Sequence, residues 1–243
     1  MSGHSKWATT KHKKAGIDAK RSKVFTKVAK LITIAARDGK SGDVSMNPSL
    51  RIAVDNAKAV SMPKDNIDRA IKRGLGGLDG GAMLEEILYE AYAPGGVAML
   101  IECLTDNKNR ALGEMKAILN KNGGSLASAG SVSYLFRRVG QIIIEKSKNS
   151  LSQEDLEMVI LDSGAEDFSE EDEITIITCA FPDLIAVKKK LEESGVVTES
   201  SEIVYIPAVY IDVLEDKVKT VENILELLDD LDDVNSVYSN ANI

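Results

Sequence analysis

Apolar side chains recur at helical spacing from Ser22 onward, as Phe25, Val28, Leu31, Ile32, Ala35 and Ala36, with Gly39 as the stop signal. Lys20, Lys23, Lys27 and Lys30 fall three or four positions apart, so this helix is expected to carry a core stripe on one face and a cationic stripe on the other. Asn47 followed by Pro48 reads as an N-cap and first helical residue, and Leu50, Ala53, Val54, Ala57 and Val60 trace a second stripe. Ser61 to Pro63 repeats the start signal, and Ile67, Ala70 and Ile71 lead into Gly74, expected just past the helix end. The first 74 residues thus predict an arm and a three-helix bundle. Leu75 to Gly81, with four glycines in seven positions, reads as a linker.

Past the linker the period changes to two. Ile87 to Ala93 and Val97 to Leu104 predict a hairpin around Pro94, Gly95 and Gly96. Asp106 is the expected cap of a helix through Leu112, Met115, Ile118 and Leu119, and Ser150 with Gln153 a capping box for a helix through Leu156, Val159 and Ile160. Tyr134 to Phe136 and Gln141 to Glu145 read as strands divided by Gly140. Further strands are expected at Glu173 to Ala180, Glu202 to Ile206 and Val234 to Tyr238, and helices at Asp183 to Ser194 and Val218 to Leu231. This order predicts an α+β multidomain protein: a three-helix domain with a basic arm over 1–76, then two α+β sandwiches of ferredoxin-like type. One, over 138–206, is expected to be inserted in the other, which takes 82–137 and 207–243. Sequential domains are the alternative, since pairing partners are not legible from periodicity.

Composition changes this picture little, and charge changes it a great deal. Hydrophobic residues are 44% and charged residues 28% of the 243, close to ordinary soluble usage. The longest apolar stretches, such as Val97 to Ile101, fall far short of the ~20 residues of a membrane span. Met1 to Arg21 is Lys-rich and lacks the apolar segment of a secretory signal, so the cytoplasm is the expected location and no membrane contact is expected. Cys103 and Cys179 sit in apolar runs without CxxC spacing and read as buried, reduced thiols. The formal net charge of −8 conceals a sign change: residues 1–76 carry +11 and residues 77–243 carry −19. A basic module that meets polyanions, attached to an acidic body that avoids them, is the favoured reading, and mutual attraction of the two parts is the alternative.

The arm, residues 1–21, holds Trp7 as its one aromatic side chain and too little apolar area to offset ordering entropy, so most of it is expected to be mobile when free. Its Lys6, Lys11, Lys13, Lys14, Lys20 and Arg21 suit phosphate contacts, Trp7 offers a face for base stacking, and His4, Ser5 and His12 add polar groups. Lys23 and Lys27 on the first helix and Lys64, Arg69, Lys72 and Arg73 on the third extend the candidate nucleic-acid surface. Lysine lacks the bidentate fork that reads guanine edges, so backbone and shape recognition is expected over base readout.

Asp106, Asn107, Asn109 and Arg110 read first as capping and loop residues, with partner contact as the alternative. Asp229, Asp230, Asp232 and Asp233 oppose the macrodipole at a helix C-terminus, so a compensating cation, a neighbouring domain or a partner is expected there. The only histidines lie in the arm, and no GxSxG, HExxH, Walker or GxGxxG motif occurs. The chain therefore reads as a non-enzymatic protein without metal or cofactor.

The run GHSKWA at 3–8, KH at 11–12 and KKAGIDAKRSKVFTK at 13–27 resembles the opening of the YebC family. The resemblance continues in NPSLR at 47–51, MPKDNIDRAIKRG at 62–74, LYEAYAPGGVA at 88–98, LTDNKNR at 104–110, GGSL at 123–126, GSVSYLF at 130–136 and DDVNSVYSN at 232–240. It implies a bacterial cytoplasmic protein with a helical N-terminal domain and two α+β domains, and a transcriptional regulator that binds DNA. Relatives that include the mitochondrial translational activator of cytochrome c oxidase subunit I act in translation, and bacterial members at ribosomes stalled on proline-rich peptides. The resemblance therefore also implies ribosomal or transfer RNA, ribosomes or transcription proteins as partners. Thr9 and Thr10 stand where the family has Asn and Ile, and Ala91 and Ala93 where it has glycines, so neither alanine position is expected to need positive φ.

Overall fold

Three apolar stripes meet at the N-terminal end of the computed structural model, which describes residues 18–77 and 83–243. They lie on α1 (Asp18–Asp38), α2 (Pro48–Ala59) and α3 (Lys64–Gly74). Ile32, Ala36, Leu50, Ala57 and Ile67 form their common core, with Phe25 and Val28 packed against it. Asn47 is the expected cap of α2: its side-chain oxygen accepts from Leu50 N–H at 3.0 Å. Its amide nitrogen donates to the carbonyls of Ala35 (2.8 Å) and Ser41 (3.2 Å), so one buried side chain starts α2 and ties it to the end of α1.

Two start and stop signals differ from expectation. Ser61 does not cap α3 but takes a left-handed φ of 59°, and α3 begins behind Pro63 without a side-chain cap. Gly74 lies inside the helix, and Gly76 is the residue with positive φ beyond it. Gly74 serves close packing instead. A Cβ there would sit 2.3 Å from the Thr33 carbonyl oxygen and 2.8 Å from the Ala36 Cβ. Gly74→Val is expected to force α1 and α3 apart and cost about 2 kcal/mol, read as a lower thermal midpoint; an unshifted midpoint would show that the crossing has slack.

The remaining chain builds two antiparallel sheets. It continues through β1 (Glu85–Ala93), β2 (Val97–Thr105), α4 (Lys108–Lys121) and β3 (Ser125–Ala127). There follow β4 (Phe136–Glu145), α5 (Gln153–Ser163), β5 (Asp167–Glu170), β6 (Ile174–Ala180), α6 (Leu184–Glu193) and β7 (Ser200–Pro207). The chain ends in β8 (Ile211–Asp212), α7 (Glu215–Asp229), β9 (Val234–Ser239) and β10 (Ala241–Asn242). The first sheet has the order β3-β1-β2-β9, the second β5-β6-β4-β7, and β8 pairs with β10 in a short parallel ladder. The second unit is a complete βαββαβ sandwich of ferredoxin-like order. The first sheet draws β9 from beyond it. Helices α4 and α7 cover one face of the first sheet, where Met115, Leu119, Ile224 and Leu228 pack on Met99, Ile101 and Cys103. Leu156, Ile160, Leu184 and Leu191 pack in the same way on Ile142, Ile144 and Ile177 of the second. Burial pushes the Cys103 thiol up to about 12 and the Cys179 thiol up to about 11, and both cysteines are free. Neither Ala91 nor Ala93 has positive φ.

Gly140 does not divide two strands. β4 runs through it unbroken, because a Cβ there would meet Cys179 Sγ at 2.8 Å and Leu184 Cβ at 2.9 Å, and its absence lets α6 settle onto the sheet. Ser133–Leu135 forms a 3-10 turn rather than a strand. The capping pair of α5 is Ser152 with Asp155, two residues beyond the expected Ser150 and Gln153. The short strands β3, β5, β8 and β10 had no periodic signal of their own.

The helical domain touches both sandwiches. Asn56 donates to the Ser201 carbonyl at 2.8 Å and accepts from its N–H at 3.1 Å, which satisfies part of the outer edge of β7 as a paired strand would. Lys188, 9% exposed at its side chain, pairs with Asp55 beside it at 3.0 Å. Leu31 and Ile34 pack with Leu84 and Leu104 at the first sheet. Between the sheets, Ala98 and Leu100 meet Val132 and Phe136, and the Tyr205 and Tyr238 rings stand edge to face at 5.4 Å.

Candidate nucleic-acid interface

Helix α3 buries Ile67 and Ala70 against the bundle and so turns its polar residues to solvent. Lys64, Arg69, Lys72 and Arg73 are all on that outer side. Arg69, Lys72 and Arg73 follow the i, i+3, i+4 spacing that places side chains side by side on one helix face. Asp65 and Asp68 lie within a turn of them, yet none of the four cations forms an ion pair with a described residue, and the ion pairs of the helical domain lie on other side chains. Cations in this last turn also complement the macrodipole of α3.

The stripe on α1 has a different fate. Lys23 donates to the Asp230 carbonyl at 3.0 Å and pairs with its carboxylate at 3.1 Å. Lys27 donates to the Asp229 carbonyl at 2.7 Å and its carboxylate at 3.0 Å. Lys30 donates to the carbonyls of Asp232 (2.7 Å) and Leu104 (2.9 Å) and lies 3.4 Å from Asp233 Oδ1. Three lysines one turn apart thus close the C-terminal end of α7, where free carbonyls and aspartates together would repel one another. Lysines of the helical domain thus supply compensating cations to these aspartates. Lys23 and Lys27 are therefore held by the acidic body, in contrast to their expected place on an open cationic face.

Asp233 is the centre of this joint, and here the compensating cations are Lys30 and Arg110. Its side chain is 4% exposed and accepts from Arg110 Nε at 2.8 Å and Nη2 at 2.9 Å. Burial alone would raise its pKa, but the Arg110 hydrogen bonds and the charges of Lys30 and Arg110 hold it below the usual carboxylate value. Arg110 bonds Asp106 as well, at 2.8 Å. The cap of α4 is Asn107, whose side chain accepts from Arg110 N–H at 3.1 Å, so Asp106 is freed to steady the guanidinium. Asn109 is exposed beside them. Lys23, Arg110, Glu114 and the residues Asp230 to Asp233 line an open cleft at this joint.

Glu90, which no sequence pattern singled out, organises the segment between the two sandwiches. It is 6% exposed and accepts from the backbone N–H groups of Gly130 (2.6 Å), Val132 (2.5 Å) and Ser133 (3.1 Å). Burial opposes its charge, yet these three donors hold it below the ordinary 4.5. The signal in the chain was a lone carboxylate in the alternating run LYEAYA, on a strand face that folding covers.

His4, Ser5, Lys6, Trp7, Lys11, His12, Lys13 and Lys14 lie outside the described residues, as does part of the expected linker. Lys20 and Arg21 fall in the first turn of α1. Among the described residues no group of three His, Cys, Asp or Glu side chains is arranged to hold a metal ion, and no helix is long and apolar enough to cross a membrane.

Comparison with known proteins gives concordant matches. Residues 5–77 match the family model described as the TACO1/YebC protein N-terminal domain, and residues 84–241 the TACO1/YebC second and third domain. A protein of Thermobifida fusca named "Probable transcriptional regulatory protein" is 50% identical over all of this chain and 96% of its own length. One of the same name from Nocardia farcinica is 49% identical over the same shares. The crystal structure of a conserved hypothetical protein from Aquifex aeolicus superposes with a TM-score of 0.86 at 40% identity, covering 94% of this chain and 93% of that one.

Proposed function

The chain belongs to the TACO1/YebC family, and from that premise we propose that it is a non-enzymatic regulator that holds nucleic acid through the cations of residues 1–76. DNA is the first target, in keeping with relatives named "Probable transcriptional regulatory protein". One observation carries the reading: Arg69, Lys72 and Arg73 stand on the outer side of α3 without a described counter-ion, within the same basic stretch 1–76 that holds the Lys-rich residues 1–21. The acidic sandwiches repel phosphates and so orient the grip. The lysines that dominate residues 1–21 suit contact with the backbone rather than with base edges. That property suits ribosomal or transfer RNA equally, and supports a ribosome-associated translation factor as the second reading.

Arg69→Gln, Lys72→Gln and Arg73→Gln combined are expected to weaken binding to a labelled DNA duplex by at least tenfold at low salt. The slope of log affinity against log salt is expected to fall by about 0.9 for each phosphate no longer neutralised. These side chains face solvent, so the thermal midpoint should stay close to that of the wild type. Unchanged affinity and slope would refute the α3 face. Crosslinking in cells followed by sucrose-gradient fractionation separates the targets, because a DNA regulator does not travel with ribosomal particles.

A further inference from the structure

The α1 lysines point to regulation of this site, and the inference rests on the nucleic-acid reading above. We propose that Asp229 and Asp230 are internal competitors for nucleic acid, occupying Lys23 and Lys27 until phosphates displace them. Carboxylate and phosphate oxygens accept the same charge-assisted bonds from an ammonium group, and lysine, lacking a rigid fork, changes partner without a change of backbone.

The three lysine contacts differ in a way that defines which can exchange. Side chains of Lys23 and Asp230 are 43% and 57% exposed, and those of Lys27 and Asp229 15% and 29%. Lys30 meets Asp233, only 4% exposed and held bidentately by Arg110. Exposed ion pairs are weak and readily exchanged, whereas a buried, doubly bonded carboxylate is not. The joint is therefore graded: Lys30 with Asp233 and Arg110 is a fixed pivot, Lys27 is intermediate and Lys23 exchanges most readily. Lys23 is also the most exposed of the three lysines at this joint, so it is the one most accessible to phosphates from solvent. The α1 stripe becomes a reserve of positive charge that strengthens the grip only after binding has begun.

The test is fluorescence anisotropy of the full chain with a labelled DNA duplex and an RNA duplex of the same sequence, across a salt series. Asp229→Asn with Asp230→Asn is expected to tighten binding several-fold and to steepen the salt slope by about 0.9 for each lysine released. Lys23→Gln with Lys27→Gln, added to that variant, should abolish the gain, a coupling that a purely structural role does not produce. Glu154→Gln with Asp162→Asn, exposed on α5, makes the same change in net charge away from the lysines and should leave affinity near wild type. If the double asparagine variant does not fold, Asp230→Asn alone should show the smaller part of the effect. Equal binding by wild type and the asparagine variants overturns the competition, as does an equal gain from the α5 control. Wild-type protein that binds neither duplex overturns the nucleic-acid reading itself, and the competition with it.

Discussion

Asp233→Ala is expected to lower the free energy of unfolding by about 3 kcal/mol, measured by urea denaturation. Removing one partner of a buried pair costs roughly 3 to 5 kcal/mol, since the remaining charge is left without compensation. The lower end applies because the Arg110 side chain is 46% exposed and water takes up part of its charge. Lys30, 17% exposed, and the C-terminal end of α7 share the loss, so α1 should also loosen from the first sandwich. Asp233→Asn keeps the shape and one acceptor, and should cost less. The pH dependence has a definite sign. The carboxyl pKa of Asp233 is lowered in the folded protein, so its contribution is complete above the ordinary 3.8 and is lost as pH falls through the folded value. The alanine variant should lose that portion of acid sensitivity. A stability indistinguishable from wild type would mean that the joint is not a structural centre.

Glu90→Ala carries the second large effect, about 2 to 4 kcal/mol. Three backbone N–H groups lose their acceptor at once, and each unsatisfied buried donor costs roughly 1 to 3 kcal/mol, less where water enters the space. Glu90→Gln retains one acceptor oxygen but turns an amide towards donors, so it recovers only part of the loss. Folding likewise lowers the Glu90 pKa, and its stabilisation fades below the ordinary 4.5 as pH drops through the folded value. Amide hydrogen exchange at Gly130, Val132 and Ser133 is the specific readout: it should accelerate in the alanine variant more than in the core of β2. Uniform acceleration would show global destabilisation without a local role for this carboxylate.

Nearly every long element was legible in the chain. The stripes of α1 and α2, the Asn47 cap and the hairpin at Pro94 to Gly96 are local patterns, and local sterics and periodicity decide them. Errors fell where two mechanisms share one residue type. Gly74 and Gly140 read as punctuation, whereas both are glycine because another element packs too close for a Cβ. Asp106 and Asn107 are both good caps, and the choice fell to Asn107 because Arg110 claims Asp106. Among candidate site residues, the α3 cations are exposed to solvent, while the sequence alone left open which lysines of α1 were held by the acidic body.

The sequence by itself determined a basic leading segment, an acidic remainder, three helices and two α+β units, since composition and periodicity act over a few residues and need no partner. Only the tertiary structure decided how the opposite charges meet. Lys27 and Asp229 are 202 positions apart and Arg110 and Asp233 are 123 apart, distances over which spacing carries no information. Chain topology brings the α1 stripe to the end of α7, and there Coulombic attraction at short range, strengthened by burial, neutralises some cations and leaves those of α3 to solvent.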